Sequence, residues 1–301
     1  MEEFLNKFLF YLTSHANFSK HTIKAYRYDL EEFKKFIEGK SIKKINEIDR
    51  FSIRAYIVFL SEKKLKKNTL IRKISAVRSF FKFLISKNII EDNPFALINM
   101  PKKEKNLPRF LTEEEMFKLL DLNVPIEVLS KNLNYKFAFR DYAIVMLIYS
   151  SGLRRSEVSN LNIGDIDIYS GFVRVVGKGM KERTVPVGDN AMEAIKKYLE
   201  TRKDRQAYDP LFLDNKHKRL TDAGIAYVLK KMAKRARFAR EINPHAIRHS
   251  FATHMLNNGC DIRAIQEMLG HKNLATTQIY THLSIEHLKE IYDKFHPRSK
   301  K

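Results

Sequence analysis

Apolar residues recur at helical spacing through the first hundred positions. Phe4, Leu5, Phe8, Leu9 and Leu12 form one stripe, and Ile23, Tyr26, Leu30, Phe33, Phe36 and Ile37 form a second. Ser19 stands where the second helix would be capped, and Gly39 where it would stop. Two more helices are expected at roughly 52–62 and 68–87. The latter reads LIRKISAVRSFFKFLISK and carries Arg72, Lys73, Arg78, Lys82 and Lys87, so that its apolar face packs and its basic face can meet phosphate. The aromatic residues share the period of Leu and Ile, which makes them core rather than platforms for stacked bases. Residues 1–100 therefore read as a compact all-helical domain.

That period breaks in NPFALINMPKKEKNLPRFLTEEE, where Pro94, Pro101 and Pro108 surround a KKEK run. Residues 101–111 read as a linker. Thr112 with Glu113, Glu114 and Glu115 is a capping-box pattern that opens a second domain over 112–301. Within it, RDYAIVMLIYSSG is an apolar helix closed by Gly152. The pattern then changes to period two in GFVRVVGKGMKERTVPV, two β-branched strands around a Gly-Lys-Gly turn. From about Asp189 onward it is helical again. The expected class is mainly α, with an N-terminal helical domain and a C-terminal α+β domain holding a small antiparallel sheet.

Hydrophobic residues are 44% of the 301 and charged residues 30%, which excludes a disordered chain. Lysine and arginine number 56 against 35 acids, a net charge of +21 spread over both halves. This excess points to a polyanion, nucleic acid first, although lysine also serves plain solubility. The one cysteine, Cys260, can form neither an internal disulfide nor a thiolate metal site and suits a reducing compartment. The start, MEEFLNKFLFYL, is short, acidic and interrupted by Asn6 and Lys7, unlike a signal peptide or a membrane span. A cytoplasmic protein is expected.

Four segments carry candidate chemistry. In INPHAIRHSFATHML, Asn243 can cap, Pro244 suits the first helical position, and His245 and Arg248 share a face of the opening turn. A helix start with an arginine fork suits a phosphate. His245, His249 and His254 could suggest a metal, but Arg248 lies among them and no HExxH glutamate accompanies them, so His249 and His254 read as structural. YSSGLRRSEVSNL puts Arg154 after a glycine turn, with Glu157 placed to orient it. VGKGMKERTVPV puts Lys178 at a hairpin tip, and GHKNLATTQIYTHL holds His271 and Tyr280. Asp165 and Asp167 in GDIDI read as cap or surface carboxylates rather than a two-metal pair.

In order and spacing, GLRRSE, GKGMKER, HAIRHSFATHML and LGHKNLATTQIYTH resemble the tyrosine recombinase (phage integrase) family, and within it the bacterial Xer branch. SKHTIKAYRYDLEEF resembles part of that family's SAM-like core-binding domain. The resemblance implies that Arg154, Lys178, His245, Arg248 and His271 surround a scissile phosphate and that Tyr280 is the nucleophile. It also implies double-stranded DNA as substrate, a 3′-phosphotyrosyl intermediate, no metal and no cofactor. The expected assembly is a homo- or hetero-tetramer on two duplexes, which resolves chromosome or plasmid dimers and answers to a septal DNA translocase. A mobile-element integrase, a relative of the strand-relaxing type IB topoisomerases and a non-catalytic DNA-binding regulator are the alternatives. After Tyr280, the apolar face of Ile285, Leu288, Ile291, Tyr292 and Phe295 is expected to pack on a neighbouring protomer.

Overall fold

The two N-terminal stripes fold as helices α1 (Glu2–Ser14) and α2 (Lys20–Gly39), followed by α3 (Arg50–Glu62) and α4 (Lys67–Ser86). The computed structural model describes residues 1–14, 18, 20–42, 44–98, 110–120, 135–177, 182–203, 205–270 and 285–299. The chain divides into two units, Met1–Asn106 and Leu107–Lys301. No described helix is long and apolar enough to cross a membrane.

In the first unit, Leu5, Phe8, Leu9 and Leu12 of α1 pack with Leu30, Phe33 and Ile37 of α2 and with Val77, Phe80, Phe81 and Leu84 of α4. The aromatic residues are core, as their period implied: the ring of Phe8 lies 5.6 Å from that of Phe80, and Phe33 meets Tyr56 edge-on at 4.9 Å. Helix α3 starts where the Asp49 carboxylate accepts the Ser52 N–H at 2.9 Å. Gly39 ends α2, while Ser19 lies outside the described residues.

The basic face assigned to α4 needs a correction. Lys73 is buried, donating to Asp29 at 3.0 Å and Glu32 at 2.6 Å, and Arg72 pairs with Asp29 as well. Asp29 has no exposed surface, and an ionised carboxylate there requires fixed cations around it. Lys73 is thus consumed in joining α2 to α4 and is not offered to phosphate, while Arg72 pairs with Asp29 but keeps 45% of its side chain exposed.

The second unit opens with the reciprocal cap expected at Thr112. Its N–H donates to Glu115 Oε2 at 3.0 Å, and the Glu115 N–H donates to Thr112 Oγ1 at 3.1 Å, starting α5 (Glu113–Leu120). Helix α6 (Tyr135–Ser151) runs through the middle of the core, with every side chain from Ala143 to Tyr149 at 1% exposure or less. It stops at Gly152, whose φ of 62° and near contact with Phe251 leave no room for a side chain; an added Cβ would meet that ring at 2.6 Å. A short helix α7 (Arg155–Asn160) leads into an antiparallel sheet of order β1-β2-β3: Ile166–Asp167, Phe172–Val176 and Glu182–Pro186. Two strands, β2 and β3, were expected around the Gly-Lys-Gly turn, and the short β1 has only two residues, within GDIDI.

Four helices complete the unit: α8 (Asp189–Glu200), α9 (Asp222–Arg235), α10 (Pro244–Asn257) and α11 (Ile262–Leu269), before a last one, α12 (Ile285–Phe295). The apolar face of α12 is covered by its own unit, contrary to the expectation that a neighbouring protomer would cover it. Leu288 and Tyr292 lie in the core, Ile291 and Phe295 pack against it, and Ile285 stays 45% exposed. The Tyr292 hydroxyl is 2.5 Å from Ser150 Oγ, and His296 stacks on the Tyr292 ring at 4.8 Å.

The backbone N–H of Arg298 donates to His296 Nδ1 at 3.1 Å, and Nε2 faces the Tyr149 carbonyl at 3.3 Å, so the imidazole is fixed in its neutral form. Burial, only partly offset by that carbonyl, pushes His296 down from 6.5 to about 3. The folded value is the lower one, so the contribution of His296 is complete above pH 6.5 and is lost as the pH falls toward 3. In denaturant unfolding from pH 7 to pH 4, stability should fall with a His296 share of up to about 1.4 kcal/mol per pH unit below 6.5. His296→Phe should flatten that slope, and an unchanged slope would contradict the assignment.

Candidate active site

The sharp exit from α6 at Gly152 sets Arg154 as the cap residue of α7, and Glu157, three residues on, folds back onto it. The Arg154 N–H donates to Glu157 Oε2 at 2.7 Å, and its Nη1 donates to Oε1 at 2.9 Å. The sequence suggested this pairing. From β3, Arg183 lays a two-toothed fork on the same carboxylate, Nη1 to Oε1 at 2.9 Å and Nη2 to Oε2 at 3.0 Å. From α10 comes Arg248, its Nη1 3.8 Å from Glu157 Oε2. Three guanidiniums from separate elements thus surround one carboxylate whose side chain is 4% exposed.

The same arginines also close the end of α11. Arg183 Nε donates to the Met268 carbonyl at 3.2 Å, Arg248 Nη2 to Leu269 at 2.7 Å, and Arg154 Nη2 to Gly270 at 3.4 Å. Helix ends expose carbonyls that carry partial negative charge, which is why cations settle there. Arg248 donates further to the Gly152 carbonyl at 2.6 Å, tying the turn after α6 to α10.

Burial would lift the Glu157 carboxyl, but hydrogen bonds from Arg183 and the Arg154 backbone, with both positive charges, hold it below the usual carboxylate range. It is therefore ionised at neutral pH. Burial, reinforced by the neighbouring charge of Arg154, pulls Arg248 down to about 10, so it too keeps its charge. Three cations against one anion leave a positive surplus. The Arg154 side chain is 36% exposed and that of Arg248 10%, which leaves Arg154 the more accessible of the two.

The cap on α10 is as expected: Asn243 Oδ1 accepts the Ala246 N–H at 2.9 Å and Pro244 follows it. His245 is exposed on the opening turn of this helix, one turn before Arg248. His254 is structural, bridging the Tyr149 hydroxyl at 2.9 Å and the Leu111 carbonyl at 2.8 Å, and His249 is half-buried against Phe110. Asp165 accepts the Asn162 N–H, and Asp167 accepts those of Tyr169 and Ser170, so both shape turns. Among the described residues, no group of three His, Cys, Asp or Glu side chains could hold a metal ion.

Lys178, His271 and Tyr280 lie outside the described residues. The structure adds one participant that the sequence reading did not single out, Arg183. A signal for it existed: strand alternation puts Arg183 on the same face as Val185, which is fully buried, and a buried arginine demands a partner.

Two family profiles match the chain: the phage integrase family over residues 109–287, and the phage integrase N-terminal SAM-like domain over residues 5–88. The tyrosine recombinase XerC of Thermodesulfovibrio yellowstonii is 42% identical over 99% of this chain and 97% of its own length. That of Bacillus subtilis is 38% identical over 99% and 98%. Among solved structures, the XerH site-specific recombinase, in a post-cleavage complex with a palindromic difH substrate, shares the fold at a TM-score of 0.67. It is 24% identical, with 91% of this chain and 76% of that one covered.

Replacing Glu157 by Gln removes the anion beneath three cations while keeping its shape. Urea unfolding should show a loss of about 3–5 kcal/mol, the range for breaking a buried ion pair from one side. A loss below about 1 kcal/mol would mean that the carboxylate does not organise the cluster.

Proposed function

We propose, since this chain belongs to the phage integrase family, that its arginine cluster holds the scissile phosphodiester of duplex DNA while Tyr280 attacks it. The protein is a site-specific tyrosine recombinase, an enzyme that breaks and rejoins DNA. The observation that carries the reading of the site is the convergence of Arg154, Arg183 and Arg248 on Glu157, which leaves positive charge in surplus for a phosphate.

A phenol titrates near 10, so Tyr280 is protonated at neutral pH and must lose its proton during attack. His245, exposed one turn before Arg248, is the general base. As the phenolic oxygen bonds to phosphorus, charge builds on the non-bridging oxygens, and Arg154, Arg248 and His271 stabilise it. Loss of one such fixed donor costs about 100- to 1,000-fold in rate. The bond from phosphorus to the 5′ oxygen breaks, and Lys178 gives that oxygen its proton. The products are a 3′-phosphotyrosyl ester and a free 5′ hydroxyl. Attack by the 5′ hydroxyl of another strand reverses the step and completes an exchange. The atoms and charges balance without ATP, a metal or a redox cofactor.

The biological task that fits this reaction and these relatives is the resolution of chromosome or plasmid dimers at cell division, in the cytoplasm. Exchange between two duplexes calls for four active tyrosines, hence a tetramer of this chain, alone or with a related recombinase. A septal DNA translocase is the expected activator.

The test uses nicked duplexes selected from a random pool for binding to this chain, incubated in EDTA and run on a denaturing gel. The fragment beyond the nick leaves, so the ester cannot be reversed. A protein-DNA adduct should form with the wild-type chain and be absent in Tyr280→Phe. A strict Mg²⁺ requirement, or an adduct that survives in the variant, would overturn the reading.

A further inference from the structure

We infer that Arg183 is a positioning residue of the strand-cleaving site: it holds Glu157 in place beneath Arg154 and Arg248 and ties strand β3 to the end of α11, acting through them rather than on the phosphate. This rests on the proposed reaction. All three nitrogens of its guanidinium already donate to protein oxygens, two to Glu157 and one to the Met268 carbonyl. Its side chain is 16% exposed, less than half the exposure of Arg154. Arg154 and Arg248 face the same carboxylate, but neither lays a fork across both of its oxygens.

That fork fixes the plane of the carboxylate. Arg183 and Arg154 share Oε1, and Arg183 and the Arg154 backbone share Oε2. Remove Arg183 and each oxygen loses a donor, leaving the carboxylate free to turn onto Arg248, which it now meets only at 3.8 Å. A closer pair there would draw the Arg248 guanidinium away from the Gly152 and Leu269 carbonyls that now set its position. Lysine cannot replace the fork, because one ammonium is a point donor and cannot span two oxygens in a plane.

Arg183 also sits where two catalytic segments are anchored. It lies five positions beyond Lys178 at the start of β3, and Gly270, ten positions before Tyr280, packs against its guanidinium. A Cβ on Gly270 would fall 3.0 Å from Arg183 Nε and 3.1 Å from Cζ, and the φ of 63° there disfavours any side chain. One side chain thus clamps both the strand that leads from Lys178 and the helix end that leads to His271 and Tyr280.

The test compares wild type, Arg183→Gln and Arg183→Lys in three measurements: Kd for the nicked duplex with each chain also carrying Tyr280→Phe, single-turnover cleavage at saturating protein with Tyr280 intact, and the melting midpoint. Arg183→Gln should cleave about 10- to 100-fold more slowly, the range for residues that orient a functional group, with Kd within about twofold. Arg183→Lys should recover only part of the rate, and it carries the test by the same criteria if the Gln variant does not fold. Cleavage at the wild-type rate by folded variants, even with a lowered midpoint, would leave Arg183 a structural residue. A rate loss matched by a loss of affinity would make it a direct phosphate ligand. Either result overturns the inference while leaving the proposed reaction intact, whereas a wild-type chain that forms no adduct sinks both.

Discussion

A single buried carboxylate, Glu157, is the constraint around which the second unit is arranged. Placing three guanidiniums within a few ångströms of one another is costly, and burying them more so. The arrangement holds because Glu157 supplies the counter-charge and four backbone carbonyls, those of Gly152, Met268, Leu269 and Gly270, take up further N–H groups. Each arginine belongs to a different element. The turn after α6, strand β3, helix α10 and the end of α11 are therefore held to one another by polar bonds whose geometry is strict, in addition to the apolar core beneath them.

The chemical consequence is preorganisation. A phosphoryl group gaining charge in a transition state is stabilised most by donors that are already in place. Here their positions are set by the folded protein, and Arg248, even pulled down to about 10, keeps its proton at neutral pH. The N-terminal unit handles buried charge differently. There Asp29 and Glu32 take up Arg72, Lys73 and Lys63, and the pairing is spent on joining helices. Two carboxylates there answer three cations, and the side chains of Lys63 and Arg72 stay partly exposed, whereas in the second unit three guanidiniums share the one buried carboxylate of Glu157.

How much of this could be read beforehand depended on whether the signal was local. The caps at Thr112 and Asn243, the stop at Gly152 and the aromatic core of the first unit are each set by a few neighbouring residues, and the structure has them as expected. So has the link between Arg154 and Glu157, which spans one turn of helix. Lys73 and Arg183 were not legible in the same way, because their partners are more than twenty residues away. A basic residue on an amphipathic helix looks alike whether it meets water, phosphate or Glu32. The last helix misled for a related reason: its stripe demanded cover, but only the fold shows that Ser150 and the rest of its own core supply it. The order of GLRRSE, HAIRHSFATHML and LGHKNLATTQIYTH resembled the family to which the chain belongs, and the first two motifs supply Arg154 and Arg248 of the cluster.

On the proposed reaction, this arginine cluster serves a phosphodiester whose phosphorus becomes bonded to the oxygen of Tyr280. The most direct measurement is tandem mass spectrometry of the covalent complex after digestion of its DNA by nuclease and of its protein by trypsin. A nucleotide 3′-phosphate is expected on the peptide of residues 273–289, with fragmentation placing it on Tyr280. A nucleotide on any other side chain, or a linkage through a 5′-phosphate, would contradict it.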